Sequence, residues 1–165
     1  MTGHDADGTP QCCPKFNPEP WDEKEIVWKD KLFIRDTVPQ FMHIPLPGVY
    51  AKTVTRMWKK IDAAAARPDT KDFLLMAYDP SPWKSELYMN VTKEVPDAEN
   101  IKLTGTYLTK VFDGPYNAVP KWIKEMDRYV GQKNKKVKKY YFYFTTCPKC
   151  AKVYGNNYSI VFAEV

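Results

Sequence analysis

The sequence has little of what most enzyme and membrane classes depend on. It contains two histidines, His4 in the polar N-terminus and His43 just before a proline-rich break. No Ser-His-Asp or Cys-His spacing, glycine-rich phosphate loop, H-x-E or H-E-x-x-H motif accompanies them, so triad hydrolases, nucleotide hydrolases and zinc proteases lose their support. No apolar run approaches the ~20 residues that a membrane-crossing helix needs; the longest are residues 73–78 and 140–144. Residues 1–10 have neither the basic start nor the apolar stretch of a secretory signal. A chain of 165 residues buries a core without disulfides or metal, and in a cytosolic protein its four cysteines read as reduced. A soluble, cytoplasmic protein with no membrane partner is the expectation.

A broad basic surface is missing too. The net charge is +5, but Lys133, Lys135, Lys136, Lys138 and Lys139 crowd into seven residues, and the rest of the chain is balanced. One short basic tract between two elements reads as a solvated loop, and aromatics do not alternate with basic residues along a face as a single-strand platform would require. Nucleic acid is not an expected partner. What is present is hydrophobic content of 44% with 15% aromatics, enough for an ordered core.

Residues 1–23 read as an irregular leader, broken by Pro10, Pro14, Pro18 and Pro20, its second half lying against the body through Phe16 and Trp21. Regular patterns follow in residues 24–165. Residues 25–28 and 32–38 read as strands separated by a lysine-rich turn. Residues 49–66 have helical spacing, with Val54, Met57, Trp58 and Ile61 on one stripe and Lys52, Arg56, Lys59 and Lys60 opposite. Residues 73–78 and 85–95 read as strands around a turn at 79–82. The order then recurs: a strand at 101–112, a helix at 118–130 closed by Gly131, a strand at 137–145, a loop at 146–157 and a final strand at 158–165. Two β-α-β-β modules, about 25–97 and 98–165, therefore form one α+β domain. They are expected to be pseudo-symmetric, joined in an antiparallel sheet with both helices on one face. Strand alternation then sorts the side chains: Leu87, Met89, Phe142 and Phe144 face the helices, while Glu86, Tyr88, Asn90, Tyr141 and Tyr143 line the open face. Tyrosines with a carboxylate suit a ligand cleft there.

The run LTGTYLTKVFDGPYNAVPKWIKEMDRYV, residues 103–130, with the KKYYFYF strand after it, resembles the GyrI-like (gyrase-inhibitor-like) small-molecule-binding family. The likeness extends over residues 25–165; the leader CCPKFNPEPWDEKE and the loop TTCPKCAKVYGNN lie outside the family pattern. The resemblance implies a cleft between two modules, walled by aromatics and floored by a glutamate, that receives aromatic or cationic compounds. With no DNA-binding domain in this sequence, it implies a stand-alone member. One such branch hydrolyses cyclopropane-bearing DNA-alkylating natural products.

Glu86 is the candidate catalytic residue. A carboxylate among aromatic rings attracts cations, and burial makes such a group a usable general base for water. Trp83, Tyr88, Tyr107, Tyr141 and Tyr143 are the candidate ligand-binding residues, and Glu164 is a reserve carboxylate at a strand end expected to fray. For each tyrosine alone, ordinary sheet packing is an equal or better explanation. Trp58 and Trp122 belong to the core. Cys147-Pro-Lys-Cys150 is a C-x₂-C knuckle and Cys12-Cys13 a vicinal pair; together they have enough thiols for a zinc site or redox chemistry, yet adjacent cysteines are poor geometry for one metal. No metal and no cofactor is assigned. Hydrolysis, non-catalytic ligand sensing or multidrug binding, and a cysteine-based zinc- or redox-linked interaction role remain the alternatives.

Overall fold

Alternating apolar residues between Leu32 and Val38 demand an extended chain with one face buried. In the computed structural model, which describes residues 3–4, 10–11, 15–146 and 148–165, they lie in an unbroken eighteen-residue strand. Gly3–His4 (β1) and Pro10–Gln11 (β2) form a short antiparallel pair in the leader, where only irregular chain was expected. The long strand is Lys24–Phe41 (β3). No turn interrupts it; Asp30 adopts a left-handed φ of 51° inside the strand. The Asp30 amide donates to Thr104 Oγ1 at 2.9 Å, so this residue leaves no orphaned N–H.

The chain forms two compact units, Val27–Gly105 and Met1–Ile26 with Thr106–Val165. In the first, β3 turns at Met42 and His43 into Ile44–Pro45 (β4). Gly48, at a φ of 75° that favours glycine, precedes the helix Val49–Ala63 (α1). Leu75–Ser81 (β5) and Lys84–Asn90 (β6) then form a hairpin. Its turn is residues 82–83, later than the sequence pattern placed it, because the pairing shifts between Tyr78 and Ser81 and so accommodates Pro80 inside β5. β6 ends at Asn90, five residues short of the expected strand. β6 pairs with β3 from Phe33↔Asn90 to Pro39↔Lys84. Met57 and Ile61 of α1 pack on Ile34, Val38, Leu87 and Met89; alternation assigned Leu87 and Met89 to this side. Each such side chain contributes roughly 1.5–3 kcal/mol on burial.

The second unit contains the C-terminal part of Glu99–Asp113 (β7), the helix Val119–Gln132 (α2), Lys139–Phe144 (β8), the short helix Pro148–Tyr154 (α3) and Tyr158–Glu164 (β9). β9 lies between β7 and β8, antiparallel to both. Trp122, Met126 and Val130 of α2 pack on Leu108, Phe112, Val161 and Ala163, with the Trp122 and Phe112 rings stacked at 5.5 Å. Two expectations need correction. Gly131 does not end α2; it lies inside the helix, and Asn134 takes the left-handed φ of 57° beyond it. Part of the segment read as a loop is α3, and Cys150 on it is buried, which gives that turn an apolar anchor. Among the described residues no helix is long and apolar enough to cross a membrane. The fold is α+β.

Candidate functional site

In the unit Val27–Gly105, strand alternation turns Arg35 and Thr37 of β3, Glu86 and Tyr88 of β6, and Met76 and Tyr78 of β5 away from α1. Register makes them neighbours: Arg35 lies opposite Tyr88 and Thr37 opposite Glu86, with Met76 and Tyr78 on the other flank. The Tyr88 hydroxyl donates to Glu86 Oε2 at 2.7 Å, as residues two apart on one strand face can. The Glu86 side chain keeps 13% of its exposure, and two cations attend it, Arg35 at 3.9 Å and Lys84 at 3.7 Å. Arg35 is gripped from behind by Glu99, through Nε at 3.1 Å and a second bond from its terminal nitrogen, and this raises the guanidinium pKa. Burial, reinforced by the hydrogen bond to Glu86 and opposed by Arg35, pushes the Tyr88 hydroxyl up to about 12. The arrangement is a neutral phenol, a carboxylate and a fixed guanidinium on one helix-free face. It can accept a proton at Glu86 and stabilise a developing oxyanion at Arg35 or Tyr88.

Arg35, Glu99 and Lys84 were not singled out from the sequence. Arg35 shared an alternating run with Phe33 and Thr37, but nothing in one sequence pairs that run with β6. Trp83 lies in the β5–β6 turn, 57% exposed, and its ring meets Phe41 edge-on at 5.5 Å. Asn90, assigned to the open face, is buried; its amide donates to the Asp72 carbonyl at 2.8 Å and accepts from the Leu74 amide at 2.7 Å. It holds a loop rather than offering a free polar group.

In the other unit the helix-free face carries Tyr107 and Thr109 of β7, Phe162 and Glu164 of β9, and Tyr141 and Tyr143 of β8. Tyr107 and Tyr141 are almost fully buried, their ring centroids 6.3 Å apart. Burial, with the Glu164 charge adding to it, pushes the Tyr107 hydroxyl up to about 12. Tyr143 is half-buried. Glu164 does not fray: it is in register between Tyr107 and Lys139, and its carbonyl accepts from the Lys138 amide at 2.7 Å. Nor is this face bare. Phe16 meets Tyr158 at 5.9 Å and Trp21 meets Phe162 at 5.8 Å. The Trp21 carbonyl accepts from Thr109 Oγ1 at 2.6 Å, Asp22 accepts from the Val111 amide at 3.1 Å, and Glu23 pairs with Lys110 at 2.6 Å. The second half of the leader thus covers part of a face expected to be open.

Cys12, Cys13 and Cys147 lie outside the described residues. Among the described residues no group of three or more His, Cys, Asp and Glu side chains could hold a metal ion.

Residues 4–165 match the family model described as bacterial hydrolase. Three solved structures share the fold. The C-terminal domain of EcmrR superposes with a TM-score of 0.58 at 14% identity, over 86% of this chain and 93% of that one. A hydrolase from Listeria innocua gives 0.60 at 13% identity, over 86% and 90%. A second Listeria innocua hydrolase gives 0.60 at 9% identity, over 87% and 92%. No curated protein matches the sequence. These matches agree with the GyrI-like resemblance read from residues 103–130.

Proposed function

We propose, from the premise that this chain belongs to the bacterial hydrolase family, that it hydrolyses a small, aromatic, electrophilic compound by addition of water at Glu86. The observation that carries this reading is the Tyr88–Glu86 hydrogen bond of 2.7 Å with Arg35 beside it. A carboxylate flanked by Arg35 and Lys84 offers little net attraction to a cation, so the face around Glu86 suits a neutral electrophile better than a cationic one. The strained cyclopropane of the resembling branch fits that chemistry. Glu86 removes a proton from water and the water oxygen bonds to the ring carbon. The ring C–C bond breaks, and its electron pair passes into the conjugated aromatic system, where Arg35 or the Tyr88 hydroxyl receives the negative oxygen. Tyr107, Tyr141 and Tyr143 are proposed ligand-binding residues within their own unit, and Trp83 is an outer contact at the β5–β6 turn. Pseudo-symmetry of the two units and a ligand cleft belong to this proposal.

The test is turnover of an activated cyclopropane-bearing indole, read by mass spectrometry as a product heavier by one water. Glu86→Gln should lower kcat by roughly 10²–10⁴-fold, the usual weight of a general base. Tyr88→Phe should lower it less. Turnover that survives Glu86→Gln removes Glu86 from the role. No turnover above buffer by the wild type discards ring opening and leaves ligand capture without chemistry, which the same compound tests by calorimetry.

A further inference from the structure

The unit Val27–Gly105 exposes more apolar surface at one end than its fold requires. Two turns, residues 42–43 and 82–83, lie side by side. The His43 amide donates to the Pro82 carbonyl at 3.0 Å and the Gln40 amide to the Trp83 carbonyl at 2.9 Å. Together they present Phe41, Met42, Ile44, Leu46 and Trp83, between 43% and 68% exposed. Isolated surface apolar residues are ordinary, but five gathered on one tip are not. Leu46 leads directly into α1, whose outer face bears Lys52, Arg56, Lys59 and Lys60. These four, with Ala51 and Thr55, line a shallow hollow of about 490 Å³. Asp36 pairs with Arg56 at 2.8 Å, which leaves the stripe with a net positive charge. Among the described residues no acidic side chain lines the hollow.

We infer that this end of the protein is a peripheral docking surface for an anionic lipid bilayer, with the two turns entering the interface and the α1 stripe facing the headgroups. An apolar tip and a basic stripe occur together in this unit. Apolar residues that include Trp and Phe partition into the interfacial region, and cations within a Debye length of an anionic leaflet add roughly fivefold in affinity apiece. An apolar tip alone would suit any protein partner, and a basic stripe alone any polyanion. Their combination selects a surface that is both apolar and negative. This departs from the expectation of no membrane partner, which rested on the lack of a spanning segment; surface attachment needs none. It does not draw on the Tyr88–Glu86 and Arg35–Glu86 contacts, although Trp83, an outer contact of the proposed ligand site, belongs to both.

The test is flotation of the whole protein with vesicles of phosphatidylcholine alone and of phosphatidylcholine with about one-third phosphatidylserine. Wild type should float with the anionic vesicles, lose that binding as salt rises, and stay behind with the neutral ones. Lys52→Gln with Lys59→Gln should weaken partitioning roughly 25-fold. Phe41→Ser with Ile44→Ser should abolish it while circular dichroism stays unchanged, since both side chains are exposed. No flotation by the wild type overturns the inference, and so does equal flotation by the lysine variant, which shares none of the apolar changes. A concentration-dependent dimer in sedimentation that Phe41→Ser with Ile44→Ser dissolves also overturns it and assigns the tip to a second copy of the chain.

Discussion

Alkali should find two weak points in this fold, and their size follows from the structure. Tyr88 is 3% exposed and Tyr107 1%, and each hydroxyl is pushed from 10.0 up to about 12, chiefly by burial. A raised folded-state pKa means that the neutral phenol is favoured by folding. Its contribution is complete below pH 10 and is lost as pH climbs through 12. Linkage sets the loss at about 1.4 kcal/mol per tyrosine by pH 11 and about 2.3 kcal/mol by pH 12. Lysines and other tyrosines titrate in the same window, so the wild-type curve alone does not isolate the effect; a paired variant does. Tyr88→Phe should cost about 1.5–3 kcal/mol at pH 8, the value of a hydrogen bond to a charged acceptor. Because phenylalanine cannot ionise, the gap between wild type and variant should then close by about 1.4 kcal/mol at pH 11. Tyr107→Phe should show the same closing gap from its own starting value. Urea unfolding at pH 8, 9, 10 and 11, followed by circular dichroism, measures all three proteins. Parallel curves for wild type and Tyr88→Phe across that range would refute the claim that this hydroxyl is shielded from water in the native state.

Two further outcomes follow from groups that hold loops in place. Asn90→Ala removes both partners of the Leu74 amide and the Asp72 carbonyl, so unfolding free energy should fall by about 2–4 kcal/mol; a shift in urea midpoint equivalent to less than about 0.5 kcal/mol would contradict the assignment of Asn90 as a buried brace. Thr109→Val keeps the side-chain shape but removes the donor to the Trp21 carbonyl. Global stability should drop by about 1 kcal/mol, and limited proteolysis should cut within residues 15–23 faster than in the wild type. Unchanged cleavage there would show that the aromatic contacts, with Asp22 on the Val111 amide and Glu23 on Lys110, hold the leader without Thr109.

Periodicity carried the sequence reading wherever one face is buried. Spacing placed Met57 and Ile61 on one stripe of the first helix, Met126 and Val130 on one face of the second, and Leu87 and Met89 on one face of their strand, and each of these is buried in a core; which residues they meet came from the structure. The misread boundaries share a cause: backbone conformations that composition does not specify. Asp30 takes a left-handed φ inside a strand, where Thr104, more than seventy residues away, satisfies its amide. Pro80 sits in a strand because a shift in pairing spares the ladder the hydrogen bond that proline cannot donate. Gly131 looked like a helix end, yet Asn134 supplies the left-handed residue, a position asparagine tolerates nearly as well.

The site divides along the same line. Glu86 and Tyr88 could be placed together because they lie two apart on one strand, and the 2.7 Å hydrogen bond between them is a local consequence of that spacing. Arg35 and Glu99 could not, because Arg35 reaches the point through strand pairing and Glu99 stands sixty-four positions from it along the chain. That difference changes the chemistry. A glutamate among tyrosines, which is all that alternation supplies, is a cation trap. The same glutamate within 4 Å of Arg35 and Lys84 is a poor one, because an incoming cation meets two positive charges as well as the negative one. What remains available to it is hydrogen bonding and proton acceptance, with the guanidinium, anchored by Glu99, ready for an oxygen that gains charge. The cross-strand arginine therefore turns the reading from capture of a cation toward addition of water to a neutral electrophile. Arg35→Gln separates the two: it should strengthen the binding of an aromatic cation at Glu86 and slow hydrolysis, whereas weaker binding of the cation would return the site to the simpler role.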